Sequence, residues 1–147
     1  MPRVIEKTKN RAGQPYSCLR CAEKIKPGEK YFEWSFRYGG THRQHAKHGR
    51  PKQSQLTQSK MSGAYSAIER AQDTINAAIC ITPEDIASAL RECASEIESV
   101  KEEYQEGLDA LPDGLRDAGG PGGQTPEKID ALEEYQGELE SAADTIE

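Results

Sequence analysis

Cys18-Leu19-Arg20-Cys21 places two thiols with two residues between them, a spacing at which one short turn presents both sulfurs to a single ion while its amides donate to them. Downstream stand His42, His45 and His48, all the histidines of the chain, again with two residues between neighbours. Two thiolates with two imidazoles form a donor set suited to tetrahedral zinc, so Zn2+ is the expected cofactor. Geometry chooses among the histidines. A strand over Lys30 to Tyr38 that turns back at Gly39-Gly40 would put His42 near the hairpin tip and the other two near its base. The expected metal ligands are therefore Cys18, Cys21, His45 and His48, with His42 as an alternative ligand or a nucleic-acid contact. A redox dithiol would want a βαβ setting that is absent. A disulfide would want a secretory route, and the charged start Met1 to Lys7 gives no such signal.

The elements that must hold these ligands are short. Lys26-Pro27-Gly28-Glu29 reads as a turn, and Tyr31 to Tyr38 alternates with Phe32, Trp34, Phe36 and Tyr38 on one face. So few aliphatic residues accompany them that metal ligation is expected to supply the missing stability. Charge divides the chain as well: fourteen of the 19 Lys and Arg precede residue 61, with only four of the 25 acids. A basic module over residues 1–57 and an acidic one over 58–147 follow. Within the first, Arg37, Arg43, Lys47, Arg50 and Lys52 are candidates to track a phosphate backbone while an exposed Trp34 or Tyr38 stacks on a base. The favoured reading of Phe32, Trp34 and Phe36 is plainer, a small core behind the metal. Residues 46 to 58, interrupted by Gly49 and Pro51, read as a connector.

The acidic module carries a helical period. Ile86, Leu90, Cys93, Ile97, Val100, Tyr104, Leu108 and Leu111 recur at three and four residues, and similar spacings run through Met61 to Ile79 and Ile129 to Ile146. Helices are expected at about 58–80, 83–110 and 126–146. Thr82-Pro83-Glu84-Asp85 and Thr125-Pro126-Glu127-Lys128 supply a hydroxyl cap, a proline and an acid at the starts of the last two. The Gly- and Pro-rich stretch 112–124 lets the last helix fold back on the one before it. The first two are joined so closely that a sharp bend or an almost continuous rod is expected. Cys80 and Cys93 read as small buried hydrophobes. The fold class is thus α+β, a small zinc-stapled β-hairpin module followed by an all-α helical hairpin or coiled coil.

The order of knuckle, hairpin, second ligand pair and helix resembles a treble-clef zinc finger. The string from Cys18 through Lys30-Tyr31, Phe36-Arg37-Tyr38-Gly39-Gly40 and Ser54 to Ser59 is similar to small uncharacterised proteins of tailed bacteriophages, which usually carry another Cys in the second pair, where His45 and His48 stand here. The resemblance covers about the first 60 residues. It implies a viral origin and a zinc module, and the expected location is the cytoplasm of the host cell or a virion.

Composition disfavours an enzyme, because two Phe, one Trp and six Tyr leave little from which to build a concave apolar site. Gly122-Gly123-Gln124 looks like the peptidyl-tRNA hydrolysis motif of release factors, but acidic surroundings suit a tRNA end poorly. A His-metal nuclease would compete with zinc for the same imidazoles. The expected activity is binding without catalysis: the basic module to nucleic acid or a nucleoprotein complex, the helices to a host or phage protein or to a second copy as a homodimer. Two other readings are a virion or assembly component, and an inhibitor whose acidic helices mimic nucleic acid. No run reaches the roughly 18 apolar residues that a membrane helix needs, so a membrane is not among the expected partners.

Overall fold

The computed structural model describes residues 2–10, 13, 15–77, 82–116 and 125–146. It is an α+β chain that divides into two compact units, Met1–Leu56 and Thr57–Glu147. The expected features Cys80 and Gly122-Gly123-Gln124 lie outside the described residues. Among the described residues no helix is long and apolar enough to cross a membrane.

The first unit is built on a three-stranded antiparallel sheet of β1 (Ile5–Thr8), β4 (Lys30–Phe36) and β5 (Gly40–His45), in the order β1-β4-β5. A smaller ribbon of β2 (Tyr16–Ser17) and β3 (Lys24–Ile25) carries the cysteine turn. β1 has no apolar alternation and is exposed along its length, and the sequence reading missed it. Ladder hydrogen bonds and the Lys7–Glu33 ion pair hold it on β4. The turn between β4 and β5 spans residues 37–39, with Phe36 paired to Gly40. Of Gly39 and Gly40 only the second takes a positive φ, at 76°. A three-residue loop needs one left-handed residue at its exit, whereas a two-residue turn would need two.

Period-two geometry gives the sheet two different faces. Tyr31 is on one, buried with Cys18 and Ile25, and opposite His45 in register. Trp34 and Gln44 are on the other, each 1% exposed. Gly49 and Gln55 meet Gln44 there, and residues 46–56 are more than a connector: they form 3-10 turns at Ala46–His48 and Ser54–Leu56. Gln44 donates to the Gly49 carbonyl at 3.1 Å and accepts from Gln55 Nε2 at 3.1 Å, so the burial of its amide is compensated. Trp34 is thus a core residue, and the stacking role considered for it is excluded.

The second unit has three long helices, α1 (Met61–Ala77), α2 (Pro83–Asp109) and α4 (Thr125–Ile146), with the single turn α3 (Asp113–Arg116). α2 begins with a full capping box: Asp85 N–H donates to Thr82 Oγ1 at 3.2 Å, and Thr82 N–H to Asp85 Oδ2 at 3.1 Å. α2 is central. α1 runs antiparallel to it, since the Met61 amide donates to the Tyr104 hydroxyl and a Cβ on Gly63 would lie 2.9 Å from Val100 Cγ2. That excludes an almost continuous rod and leaves the sharp reversal. α4 also runs antiparallel to α2, with Lys128 over the Tyr104 ring and Arg91 paired to Asp144. Serving two neighbours, α2 buries more than one seam, and Ala87, Ala89 and Ala94 are buried beside Cys93, Ile97, Val100 and Tyr104. Small side chains let the backbones approach on both flanks, and their burial escaped a reading based on large apolar residues.

Candidate metal centre

The cysteine turn is formed by hydrogen bonds within its own backbone. The Cys18 amide donates to the Glu23 carbonyl at 2.8 Å, and the Ala22 amide to the Cys18 carbonyl at 2.9 Å. Closing so tight a turn forces Ala22 into the left-handed region at φ 59°, where an alanine costs about 1 to 2 kcal/mol. The turn then docks on β5: the Leu19 amide donates to the Arg43 carbonyl at 2.8 Å, and the His45 amide to Cys18 Sγ at 3.4 Å. Arg20 extends over the following turn and donates to the His48 carbonyl at 2.9 Å.

These contacts gather Cys18, Cys21, His45 and His48 so that one donor atom from each lies within 4.8 Å of all the others. Cys21 Sγ is 3.5 Å from His45 Nδ1, and the two imidazoles meet edge to face. Cys18 and His45 are buried, while Cys21 and His48 are half-buried. Nε2 of His48 is buried without a hydrogen-bond partner among the described residues, a costly state for a polar nitrogen unless something else occupies its lone pair. A metal ion would satisfy it, and the cluster could hold one.

The electrostatics favour ligation. Burial raises the Cys18 thiol, but the amides of His45, Cys21 and Arg20 outweigh it and bring the pKa down to about 7. Burial raises Cys21, and so does its neighbour Cys18, so without a cation only one sulfur of the pair ionises readily. Burial and the nearby Lys47 and Arg20 charges lower His48, which keeps its imidazole neutral and able to bind metal. His45 is oriented from behind: its Nε2 faces Glu29 Oε2 at 3.3 Å, leaving Nδ1 toward the cluster. Glu29 is itself fixed by the Lys26 amide, which donates to Oε2 at 2.6 Å and lowers the pKa of the carboxyl.

His42 does not join the cluster. Three residues before His45 on one strand, it projects from the opposite face, stacked on Trp34 at 5.7 Å and edge-on to Phe36 at 5.5 Å. The sequence reading passed over Glu29, Arg20 and Tyr31. Glu29 was visible only as the last residue of a Pro-Gly turn, a position that gives no hint of His45 behind it.

The five basic residues named as candidate phosphate contacts fall into different settings. Arg43 donates to Glu33 at 2.8 Å and lies over the Tyr16 ring, and Lys47 pairs with Glu23 at 3.4 Å. Lys52 is half-buried at the start of the turn held by Gln55. Arg37 and Arg50 are exposed. Arg37 lies against Tyr38, a residue 87% exposed at the hairpin tip. No family model, no curated protein and no solved structure matches the chain.

Proposed function

We propose that the first unit is a structural zinc module that presents a basic, aromatic hairpin tip to nucleic acid, and that the helical unit is a second, protein-binding arm. Zinc is supported by arithmetic. With bonds of about 2.3 Å to sulfur and about 2.05 Å to nitrogen at a tetrahedral angle, the S···N edge is about 3.6 Å. Cys21 Sγ and His45 Nδ1 are 3.5 Å apart. Four protein donors leave no open coordination position, which favours a structural over a hydrolytic ion. The run of ligands from a knuckle to the end of a hairpin supports the treble-clef likeness. The antiparallel seams of α2 and α4 support a short coiled coil.

Tyr38 carries the nucleic-acid reading. An aromatic residue so exposed beside a guanidinium, at the tip of a hairpin, contributes nothing to a core and has a face available for a base. Arg50 adds charge to the same unit, whereas Arg43 and Lys47 already have carboxylate partners. The full chain loaded with zinc is expected to bind a fluorescent single-stranded oligonucleotide, with affinity falling steeply as salt rises. Tyr38→Ala is expected to weaken binding about 5- to 150-fold, the range that loss of one stacked base produces. Absence of binding at low salt, or equal affinity of Tyr38→Ala and the parent, overturns the reading.

A further inference from the structure

α1 and α4 flank α2 and run parallel to one another, and between them is an open groove of about 550 Å³. Met61, Tyr65 and Ile68 line one wall, Ala131 and Tyr135 the other, and Ile97 of α2 lies at the floor. Three helices so arranged leave vacant the fourth position of a four-helix bundle, a slot whose shape suits one more helix. The apolar lining calls for an apolar stripe on the occupant.

Charge states what must flank that stripe. Glu127, Glu134 and Glu138 recur at seven and four residues along the outer edge of α4, and all are exposed. On α1, half-buried Glu69 and exposed Asp73 follow Tyr65 at successive four-residue steps. Lys128, the lone base in the lining among the described residues, is drawn over the Tyr104 ring. Residues 57–147 hold 21 acids against six Lys and Arg, so two copies joined through this groove would set acid against acid.

We propose that the groove between α1 and α4 receives an amphipathic helix of a partner protein, apolar on one face and flanked by Lys and Arg. This deepens the protein-binding half of the proposed function and is independent of the nucleic-acid half. It is tested on the full chain by fluorescence anisotropy with two synthetic helical peptides of about 18 residues that share one Leu-rich face, one flanked by Lys and Arg and the other by Glu. The basic peptide is expected to bind at least about tenfold more tightly than its acidic counterpart, and less tightly as salt rises.

Ala131→Glu separates groove binding from bulk attraction. Ala131 is exposed, so the helix tolerates the change, which circular dichroism verifies. An occupied groove predicts at least about tenfold weaker binding of the basic peptide, because a charge now enters the apolar seat. Mere attraction to an acidic surface predicts equal or tighter binding, and that result overturns the proposal. So does sedimentation showing a dimer of the parent chain that Ala131→Glu dissociates, which assigns the groove to a second copy. Oligonucleotide affinity, read separately, is expected to be the same for Ala131→Glu and the parent, so failure of one half of the function is distinguishable from failure of the other.

Discussion

His42→Ala and His45→Ala form a pair whose outcomes the strand geometry sets in opposite directions. His45 contributes one donor of four to the cluster, while His42 stacks on Trp34 across the sheet. Structural zinc sites are worth about 10–16 kcal/mol in apparent binding free energy, or about 2.5–4 kcal/mol for each of four ligands. Removing His45 is therefore expected to weaken zinc binding roughly 10²- to 10³-fold. Removing His42 forfeits an aromatic pair worth about 0.5–1.5 kcal/mol and no metal contact. It is expected to lower thermal stability slightly at unchanged metal stoichiometry. Native mass spectrometry of the full chain gives the stoichiometry, and competition with a chromophoric chelator gives the affinity. The reasoning fails if His42→Ala loses the metal, or if His45→Ala binds zinc as tightly as the parent.

Glu29→Gln keeps an acceptor for the Lys26 amide but removes the charge behind His45, and is expected to weaken zinc binding about 10- to 100-fold in the same chelator competition. Ala22→Gly relieves a left-handed alanine and is expected to stabilise the zinc-loaded first unit by up to about 1 kcal/mol in denaturant titration, and a loss of stability would show that the turn does not bear that strain. Asp85 has its pKa lowered by hydrogen bonds from Thr82, so its capping contribution is complete above the unfolded value of 3.8 and is lost as pH falls through the lower folded value. Thr82→Ala is expected to cost about 1 kcal/mol at pH 7 and to flatten that acid dependence, and unfolding curves followed by circular dichroism between pH 2 and 7 measure both.

The features legible in the linear chain were those in which the decisive partner is a near neighbour. Two thiols separated by two residues make their own turn, and Thr82-Pro83-Glu84-Asp85 makes its own cap. Apolar residues at three and four along α2 mark a helix whatever it packs on. Two described ends differ by one residue from those expected, α2 closing at Asp109 against 110 and α4 opening at Thr125 against 126, while α1 opens at Met61, three residues after the expected 58. β1 was not legible, because its four exposed residues gain their conformation from hydrogen bonds and ion pairs to β4, some 25 residues away.

Local spacing thus determined that a paired-sulfur turn, a basic aromatic hairpin and three amphipathic helices would form, since each is settled by atoms within a few residues. A hairpin read from the sequence set His42 at the tip and His45 and His48 at the base. Tertiary structure decided how the latter two meet the sulfurs: His42 and His45 face opposite ways on β5, the cysteine turn docks on the His45 side, and the 3-10 turn after β5 brings in His48. It also decided that α2 is central, with neighbours on two flanks and an apolar groove left between them. An amphipathic period records how much surface a helix buries, and only the packing of the helices records against what.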